Sequence, residues 1–359
     1  SHLFAWGNEN VALWRGYPEL SEETPIHVTG NPRGDMLRPE ISPFFAEEAD
    51  ELRSQYGDFL LINTNFSNVN AFYPKQNLFQ PVEKPGEKPR FGLAAVGMNR
   101  AFAEGLRDHK QAIFEDFKRL IPALEKAFPS FTIIVRPHPN ERPQVYHDIA
   151  SRSDRIRVLN QGNVVPWLLA AKALVHNGCT TGIEAYMLGV PALTYRATVD
   201  DYYDLDFYRL PNLISHQCFN LEELVAELER ICSGELGPAD GEERRALMGQ
   251  YLAAQDGPLA SDRMVNVIEK IVESRPEITR TAARDRLQGR YLAFKRRLGK
   301  KYKSYLPGSK YRPEYQRHRY PGLSLEDLRS RITRFQKLLG DSTEIVVRQI
   351  SNHIFFISR

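Results

Sequence analysis

The feature that most constrains this chain is a short apolar run that passes through a small, hydroxyl-rich turn directly into a helical pattern. The run covers 173–175, the helical pattern covers 181–188, and the turn between them reads His176-Asn177-Gly178-Cys179-Thr180. A strand that leads into a helix in this way leaves backbone N–H groups at the helix start, where they can bind a phosphate without a metal ion. Glu184, one turn into the helix, can then accept hydrogen bonds from a ribose. The alternative is an ordinary strand–helix turn capped by a threonine.

Apolar runs typical of strands alternate with helical patterns through the middle of the chain. Strands are predicted at 26–29, 59–63, 131–135, 156–159, 173–176 and 192–195, and helices at 100–128, 166–171 and 181–188. This alternation predicts an α/β fold with a parallel sheet covered on both faces. After Pro211 the pattern is mainly helical, at 221–232, 242–254, 259–273, 282–298 and 325–339. The segments 345–350 and 354–357 are either short strands or a terminal helix.

The composition favours a globular protein of a reducing compartment. The 359 residues carry a formal net charge of +3, with 42% hydrophobic and 26% charged residues. The three cysteines show no metal-binding spacing, which argues against a disulfide scaffold. No apolar run approaches the roughly 20 residues of a membrane span. The chain begins with Ser1-His2 rather than Met and shows no signal peptide. We expect a cytoplasmic protein, either free or peripheral on the inner membrane.

Basic charge is concentrated in the segment 280–319. It holds fourteen Lys and Arg against Asp285 and Glu314, with six Tyr and Phe interleaved. Such a segment is ordinarily a solvated helix face. It can also bind an anionic polymer or an acidic membrane surface. Nucleic acid is not an expected partner, because no recognition motif is present and the rest of the chain is acidic.

Polar side chains follow several predicted strands, at the edge where ligands of parallel sheets bind. Arg136 offers a planar fork for a phosphate, and His138, held between two prolines, can donate to a phosphoryl oxygen or carry a proton. The alternative is a structural turn. The other predicted strand ends carry Asn31, Arg33 and Asp35 in one loop and Asn63 and Asn65 in another. Asp35 is equally well interpreted as a helix cap, and the asparagine-rich turn as a sugar-binding rim or an ordinary turn.

The sequence predicts no metal centre and no other cofactor. Asp204-Leu205-Asp206 resembles the DxD of some sugar transferases, but no strand precedes it, so we interpret it as a loop. His109 and His147 lie within helical patterns and are predicted to be surface residues. The motifs of common hydrolases and P-loop enzymes are missing from the sequence.

Several of these motifs together resemble a known family. They are Phe4-Ala5-Trp6-Gly7, Thr29-Gly30-Asn31-Pro32-Arg33-Gly34-Asp35, Leu61-Ile62-Asn63-Thr64-Asn65-Phe66, Arg136-Pro137-His138-Pro139 and the 176–185 block. In this order they resemble bacterial surface-carbohydrate proteins of the retaining β-Kdo transferase type. The resemblance is good over about residues 3–215 and weak in the helical tail. It implies a GT-B-like pair of Rossmann-type domains, with the N-terminal one incomplete here. The predicted division is 1–90, 91–215 and a helical region 216–359.

The resemblance also implies a reaction and the residues that perform it. The donor is a CMP-activated 3-deoxy-octulosonate (CMP-Kdo), and the acceptor is a glycan or lipid-linked glycan. His138 looks like the histidine that contacts the CMP phosphate, and Thr180-Thr181 like the Ser/Thr motif beside it. Asp35 matches the aspartate that attacks the anomeric carbon, so retention would proceed through a covalent adduct. The family's acid/base glutamate would lie upstream of Ser1 and has no counterpart in this sequence, so either the sequence is cut before it or the acid/base residue here is a different one.

The interpretation depends on one electrostatic idea. The loop ends of two neighbouring parallel strands, one carrying Arg136 and His138 and the other carrying Asn177 and Thr180-Thr181, hold the negative charge of a nucleotide together. Two alternatives remain open. The first is another GT-B-type transferase that uses UDP- or CDP-activated donors. The second is a glycan-binding module without catalytic activity.

Overall fold

A computed structural model describes residues 1–82, 84, 86–204, 209–274, 282–320, 322–351 and 354–359. The strands are β1 (Leu3–Ala5), β2 (Ile26–Val28), β3 (Phe59–Asn63), β4 (Thr132–Arg136), β5 (Ile156–Val158), β6 (Ala173–His176), β7 (Ala192–Tyr195), β8 (His216–Cys218), β9 (Val346–Ser351) and β10 (Ile354–Ser358). The helices are α1 (Asn8–Arg15), α2 (Pro32–Asp35), α3 (Ala46–Tyr56), α4 (Arg100–Ala127), α5 (Gln144–Ala150), α6 (Val164–Ala170), α7 (Thr181–Leu188), α8 (Arg209–Leu213), α9 (Leu221–Ser233), α10 (Glu242–Tyr251), α11 (Ala260–Glu273), α12 (Ala283–Tyr305), α13 (Pro313–Arg319) and α14 (Leu325–Leu339).

The fold is organised around one six-stranded parallel sheet with the order β5-β4-β3-β6-β7-β8. Every residue of β3 is buried, since the strand lies at the centre and both faces of the sheet are covered. One face packs against α4, α5 and α9, and the other against α3, α6 and α7. Apolar residues on both sides of a strand are typical of such a sheet. The predicted α/β class with a parallel Rossmann-type sheet is therefore confirmed.

Strand β3 pairs with β4 on one side and with β6 on the other. It therefore belongs to the same sheet as the segment 91–215, although it lies before the predicted domain boundary at residue 90. The boundary itself stays a prediction. The described residues that precede β3 contribute a separate two-stranded parallel sheet, β1–β2.

The N-terminal unit of β1, β2, α1 and α2 is held against the segment that joins α10 to α11. The backbone N–H of Ala253 donates to the carbonyl of Trp6 at 2.7 Å. Gly30 has φ +86° and lies so close to this segment that an added Cβ would be 2.7 Å from the carbonyl oxygen of Ala253. A side chain at position 30 would therefore be excluded both by the backbone conformation and by the neighbouring chain.

The C-terminal region packs on the body in some places and is exposed in others. In α14, Phe335 stacks on Phe44 with ring centroids 4.0 Å apart. In α13, Tyr315 is buried and contacts Phe72, with ring centroids 5.3 Å apart. No residue of α12, which is described over its full length, is buried. The last two strands pair with each other in antiparallel orientation, which settles the choice between strands and a terminal helix. Within the described ranges, no helix is long and apolar enough to cross a bilayer.

Candidate functional site

The polar loops that follow β4 and β6 lie on the two sides of the loop that follows β3. In the sheet register, Asn63 pairs with Arg136 of β4 and with His176 of β6. The prediction that the two loops follow neighbouring strands was therefore wrong. They are two strand spacings apart, about 10 Å. The intervening loop links them, because Asn177 Nδ2 donates to the carbonyl of Asn65 at 3.3 Å and the backbone N–H of Thr64 donates to the carbonyl of Arg136 at 3.4 Å.

Glu141, which the sequence did not single out, fixes the loop after β4 to the loop after β3. Its carboxylate is fully buried and accepts hydrogen bonds from Thr64 Oγ1 at 2.9 Å, Tyr146 Oη at 2.6 Å and the backbone N–H of His138 at 3.1 Å. Burial raises the pKa of Glu141, and these hydrogen bonds act in the opposite direction. A glutamate in a polar loop is ordinarily solvated, so no signal in the sequence identified this role.

His138 is held with one ring nitrogen engaged. Its Nδ1 accepts the backbone N–H of Asn140 at 3.1 Å, which places the proton of the neutral ring on Nε2. Burial, and then the positive charge of Arg319, lower the pKa of His138. The neutral ring is therefore favoured, and it can act as a hydrogen-bond donor through Nε2.

Arg136 is committed to the framework of the protein. Its guanidinium donates to the carbonyls of Gln161 at 2.9 Å and Gly162 at 3.3 Å, and it lies over the ring of Trp167 at 4.8 Å from the centroid. Burial lowers the pKa of Arg136 to about 10. Because the side chain points to the loop between β5 and α6, this geometry does not support its predicted contact with the donor phosphate.

A buried histidine shapes the turn between β6 and α7. His176 Nδ1 accepts the backbone N–H of Gly178 at 3.1 Å, so its Nε2 carries the proton and donates to Ser215 Oγ at 2.9 Å. Burial lowers the pKa of His176 to about 3, which keeps the ring neutral. Gly182 lies against the ring, since an added Cβ would be 2.6 Å from Nε2.

The start of α7 is open. Thr180 is exposed and precedes the first helical residue, Thr181. The Thr180 side chain makes no cap hydrogen bond, but the backbone N–H of Thr181 is engaged by the Cys179 side chain, and those of Gly182 and Ile183 donate to the carbonyls of Cys179 and Thr180 at 2.9 and 3.0 Å. What remains available to an anion is the positive end of the helix dipole, at the exposed Thr180.

Glu184 joins the N-terminal unit to α7. Its Oε1 accepts from Arg33 Nε at 2.9 Å and from Arg33 Nη2 at 2.7 Å. Burial raises the pKa of Glu184, and the charge of Arg33 opposes this. The backbone N–H of Arg33 in turn donates to Asn31 Oδ1 at 3.0 Å, so Asn31 caps α2.

Three buried acceptor atoms at this edge lack a partner among the described residues. They are Glu184 Oε2, Asn63 Oδ1 and Asn177 Oδ1. Glu184 is 7% exposed and Asn63 is 4% exposed. A buried polar atom that makes no hydrogen bond costs about 1–3 kcal/mol, so each of these atoms favours a ligand that brings a donor.

Asp35 binds the start of a helix. Its Oδ1 accepts the backbone N–H of Ala260 at 2.7 Å, and its Oδ2 accepts the backbone N–H and the hydroxyl of Ser261 at 2.9 and 2.6 Å. The side chain is 5% exposed. This is the helix-cap interpretation of Asp35, although the helix that it caps is α11, more than two hundred residues later in the chain. Its catalytic role stays a prediction.

A buried charged cluster lies beside the end of β7. Asp204 Oδ1 is 2.8 Å from His109 Nε2 and 3.2 Å from Lys110 Nζ, and Asp204 Oδ2 is 3.4 Å from Arg196 Nη2. Burial alone would raise the pKa of Asp204, but its hydrogen bonds and the neighbouring positive charges lower it to about 2. The prediction that His109 is a surface residue was wrong, because α4 turns it into this cluster.

The exposed position of His147 is as predicted. The rest of the DxD-like motif, 205–206, lies outside the described residues, as does Arg280 of the basic segment. Among the described residues, no group of three or more His, Cys, Asp or Glu side chains is arranged to hold a metal ion.

No family model and no curated protein sequence matches the chain. The solved structures to which it is similar include the H444N variant of the wall teichoic acid polymerase TagF, the UDP-GlcNAc 2-epimerase of Methanocaldococcus jannaschii, and HepE of Anabaena. The identities are 15%, 16% and 12%, the TM-scores are 0.45, 0.41 and 0.36, and 76%, 75% and 76% of this chain is covered. The chain spans 58%, 61% and 63% of their lengths, respectively.

Proposed function

We propose that this chain is a glycosyltransferase of bacterial surface polysaccharide synthesis that binds its nucleotide-sugar donor at the carboxyl edge of the six-stranded sheet. The observation that carries the proposal is the coincidence of the exposed, positive end of the α7 dipole at Thr180 with the buried acceptors of Glu184 and Asn63 that lack a partner among the described residues. A nucleotide fits both features, because its negatively charged phosphate suits the start of α7 and its ribose hydroxyls can donate hydrogen bonds to the buried acceptor atoms.

Each residue then has one task. The positive end of the α7 dipole at Thr180 and Thr181 and the Nε2–H of the neutral His138 stabilise the phosphate charge, and no metal ion is needed for this. Glu184 Oε2 and Asn63 Oδ1 accept from hydroxyl groups of the donor. The charge of Arg33 favours the carboxylate form of Glu184, and its two hydrogen bonds fix the direction of the Glu184 side chain.

The resemblance to retaining β-Kdo transferases leads us to propose CMP-Kdo as the donor and a glycan or lipid-linked glycan as the acceptor. CMP leaves the ketosidic carbon of the sugar while the phosphate charge is stabilised at the sheet edge. In the retaining form of the proposal, the Asp35 carboxylate bonds to the cationic carbon. An acceptor hydroxyl then attacks that carbon, the bond to Asp35 breaks to regenerate the carboxylate, and the hydroxyl proton passes to solvent.

A second enzymatic candidate is a transferase that uses a UDP- or CDP-activated donor without an aspartate nucleophile. The observation that favours it is the set of three hydrogen bonds on Asp35, since a carboxylate with these donors is a weaker nucleophile. The donor-binding part of the proposal does not depend on Asp35.

Nucleotide binding tests the site. Thermal shift should show stabilisation by CMP, and a larger effect of UDP or CDP would favour the second candidate. Replacing Glu184 by Gln keeps an acceptor for Arg33 but weakens acceptance from ribose. We expect CMP affinity to fall about 5- to 150-fold, in line with a loss of about 1–3 kcal/mol. Glu229→Gln, on the exposed face of α9, is the matched control and should bind CMP like the wild type.

Deoxynucleotides test whether Glu184 contacts a hydroxyl group of the ribose. Wild-type protein should bind CMP more tightly than 2′-deoxy-CMP or 3′-deoxy-CMP, and Glu184→Gln should lose one of these two preferences. If the variant retains both preferences, Glu184 does not contact the ribose. Release of CMP from CMP-Kdo in the presence of a glycan acceptor tests transfer. Nucleotide binding without release under these conditions would favour the glycan-binding module.

A further inference from the structure

Helix α12 carries an exposed apolar stripe along its whole length. The stripe consists of Leu287, Tyr291, Phe294, Leu298, Tyr302 and Tyr305. Their spacing of four, three, four, four and three residues keeps them on one side of a helix. Each of these side chains is at least 51% exposed, and Tyr305 reaches 73%. An exposed apolar surface of this length indicates a binding surface, because single scattered apolar residues do not form a continuous row.

The same helix is strongly cationic. Its nine Lys and Arg face one acidic residue, Asp285. With 100° per residue, Arg290, Lys295 and Lys301 lie close beside the stripe, on its two sides. An apolar stripe bordered by long basic side chains is the pattern of a helix that lies in the plane of a membrane interface.

We infer that α12 binds the surface of an anionic lipid bilayer, with the stripe in the interface and the basic side chains at the lipid headgroups. Charge and apolarity together select this occupant. A second copy of the helix would match the stripe but would bring nine more positive charges to the contact. A soluble polyanion would match the charge but would leave the aromatic stripe in water.

The binding surface is linked to the sheet edge by α13. Tyr315 Oη donates to Asn140 Oδ1 at 2.8 Å, two residues from His138, and Tyr73 Oη donates to Glu314 Oε1 at 2.7 Å. A bilayer that holds α12 therefore also keeps the loop after β4 close to the lipid surface. This goes beyond the proposed transferase activity, because it concerns the surface on which the protein acts and holds for any ligand of the sheet edge.

Binding to vesicles tests the inference with the full chain. Wild-type protein should sediment with vesicles of phosphatidylcholine and phosphatidylglycerol, and not with phosphatidylcholine alone, and salt should weaken binding. In a Phe294→Trp variant, lipids brominated on the acyl chain should quench the fluorescence of the new tryptophan. The three native tryptophans lie outside α12 and give the background in the unmodified protein.

Two pairs of substitutions separate charge from insertion. Lys295→Gln with Lys301→Gln, one on each side of the stripe, should weaken binding about 25-fold, since each basic residue near an anionic surface contributes about fivefold. Phe294→Ser with Leu298→Ser should reduce binding at every salt concentration. The matched control makes the same kinds of change in another exposed place, Lys337→Gln with Leu339→Ser on α14, and should bind as the wild type does.

Three results would overturn the inference. They are sedimentation that is equal with neutral and anionic vesicles or missing with both, unchanged binding of the Phe294→Ser, Leu298→Ser variant, and a stable dimer lost in that variant. The second result would identify a simple polyanion site, and the third a contact between copies. CMP affinity should stay unchanged in all the α12 variants, so failure here is distinguishable from failure of the proposed function.

Discussion

Replacing Asp35 by Asn tests two roles of this residue, the capping of α11 that the structure shows and the nucleophilic attack that we propose. The carboxylate accepts three hydrogen bonds at 2.6–2.9 Å from the start of α11. Asparagine has the same shape, but one oxygen becomes an NH2 group that faces a donor, and the charge that favours a helix start is lost. Charged hydrogen bonds contribute about 1.5–3 kcal/mol, and a lost cap costs about 1–2 kcal/mol. We therefore expect Asp35→Asn to lower the free energy of unfolding by about 2–3 kcal/mol.

The assay combines urea unfolding with hydrogen exchange. The unfolding midpoint should fall, and the backbone amides of Ala260 and Ser261 should exchange faster in the variant, because they lose their acceptor. Ser261→Ala removes only the hydroxyl donor and should cost about 0.5–1.5 kcal/mol. In the double variant the two costs should not add, since both changes act on the same carboxylate oxygen.

The same variant decides the catalytic role. If Asp35→Asn has an unchanged midpoint and unchanged amide exchange, the capping interpretation is refuted. If CMP still binds and sugar transfer is abolished in a variant as stable as the wild type, Asp35 is the nucleophile. Reduced stability with normal turnover per folded molecule removes Asp35 from the chemistry.

Two further predictions concern the turn between β6 and α7. Burial lowers the pKa of His176 to about 3, so between about pH 3 and pH 6.5 its ring stays neutral in the folded protein but takes up a proton in the unfolded chain. The free energy of unfolding therefore decreases as the pH falls below about 6.5. At about pH 5 this loss is about 2 kcal/mol. The difference in unfolding midpoint between the wild type and His176→Gln should therefore shrink from about pH 7 to about pH 5, and a constant difference would contradict the assignment. Gly182→Ala should lower the free energy of unfolding by about 1–3 kcal/mol, since its Cβ would be 2.6 Å from His176 Nε2. The control Gly249→Ala, whose Cβ would lie 3.9 Å from the Gln255 side chain, should be neutral or stabilising in urea unfolding, and an equal loss in both would refute the steric reason.

The sheet and its helices could be predicted because their signals are local. Strands β3, β6 and β7 and helices α7 and α14 have the predicted bounds, and each has an apolar pattern with a clear end. The short elements β1, β8 and α5 and the helix α3 were not predicted. They contain few apolar residues in a row, and their positions are set by contacts with distant parts of the chain.

The site was harder to predict because burial and partners are properties of the fold. A pattern can indicate that Arg136 lies at a ligand edge, but the carbonyls that it binds belong to a loop twenty-five residues later. Likewise, the partner of Asp35 is the start of α11. The strand order also could not be read from the sequence, so the place of β3 between the two polar loops was missed.

Some buried polar residues of this region have all their partners within the protein, whereas others keep an atom without a partner among the described residues, and this difference has a physical basis. A buried charge is tolerated when the protein itself supplies its partners, as it does for Asp35, Arg136 and Glu141. These groups fix the loops, but their polar atoms are occupied. Glu184 and Asn63 each keep a buried acceptor atom without a partner among the described residues. An acceptor atom that is buried without a partner destabilises the fold by about 1–3 kcal/mol, and a ligand that donates a hydrogen bond to it removes this cost. The residues that bind the donor should therefore be sought among the incompletely satisfied groups, and the fully bonded charges hold those groups in place.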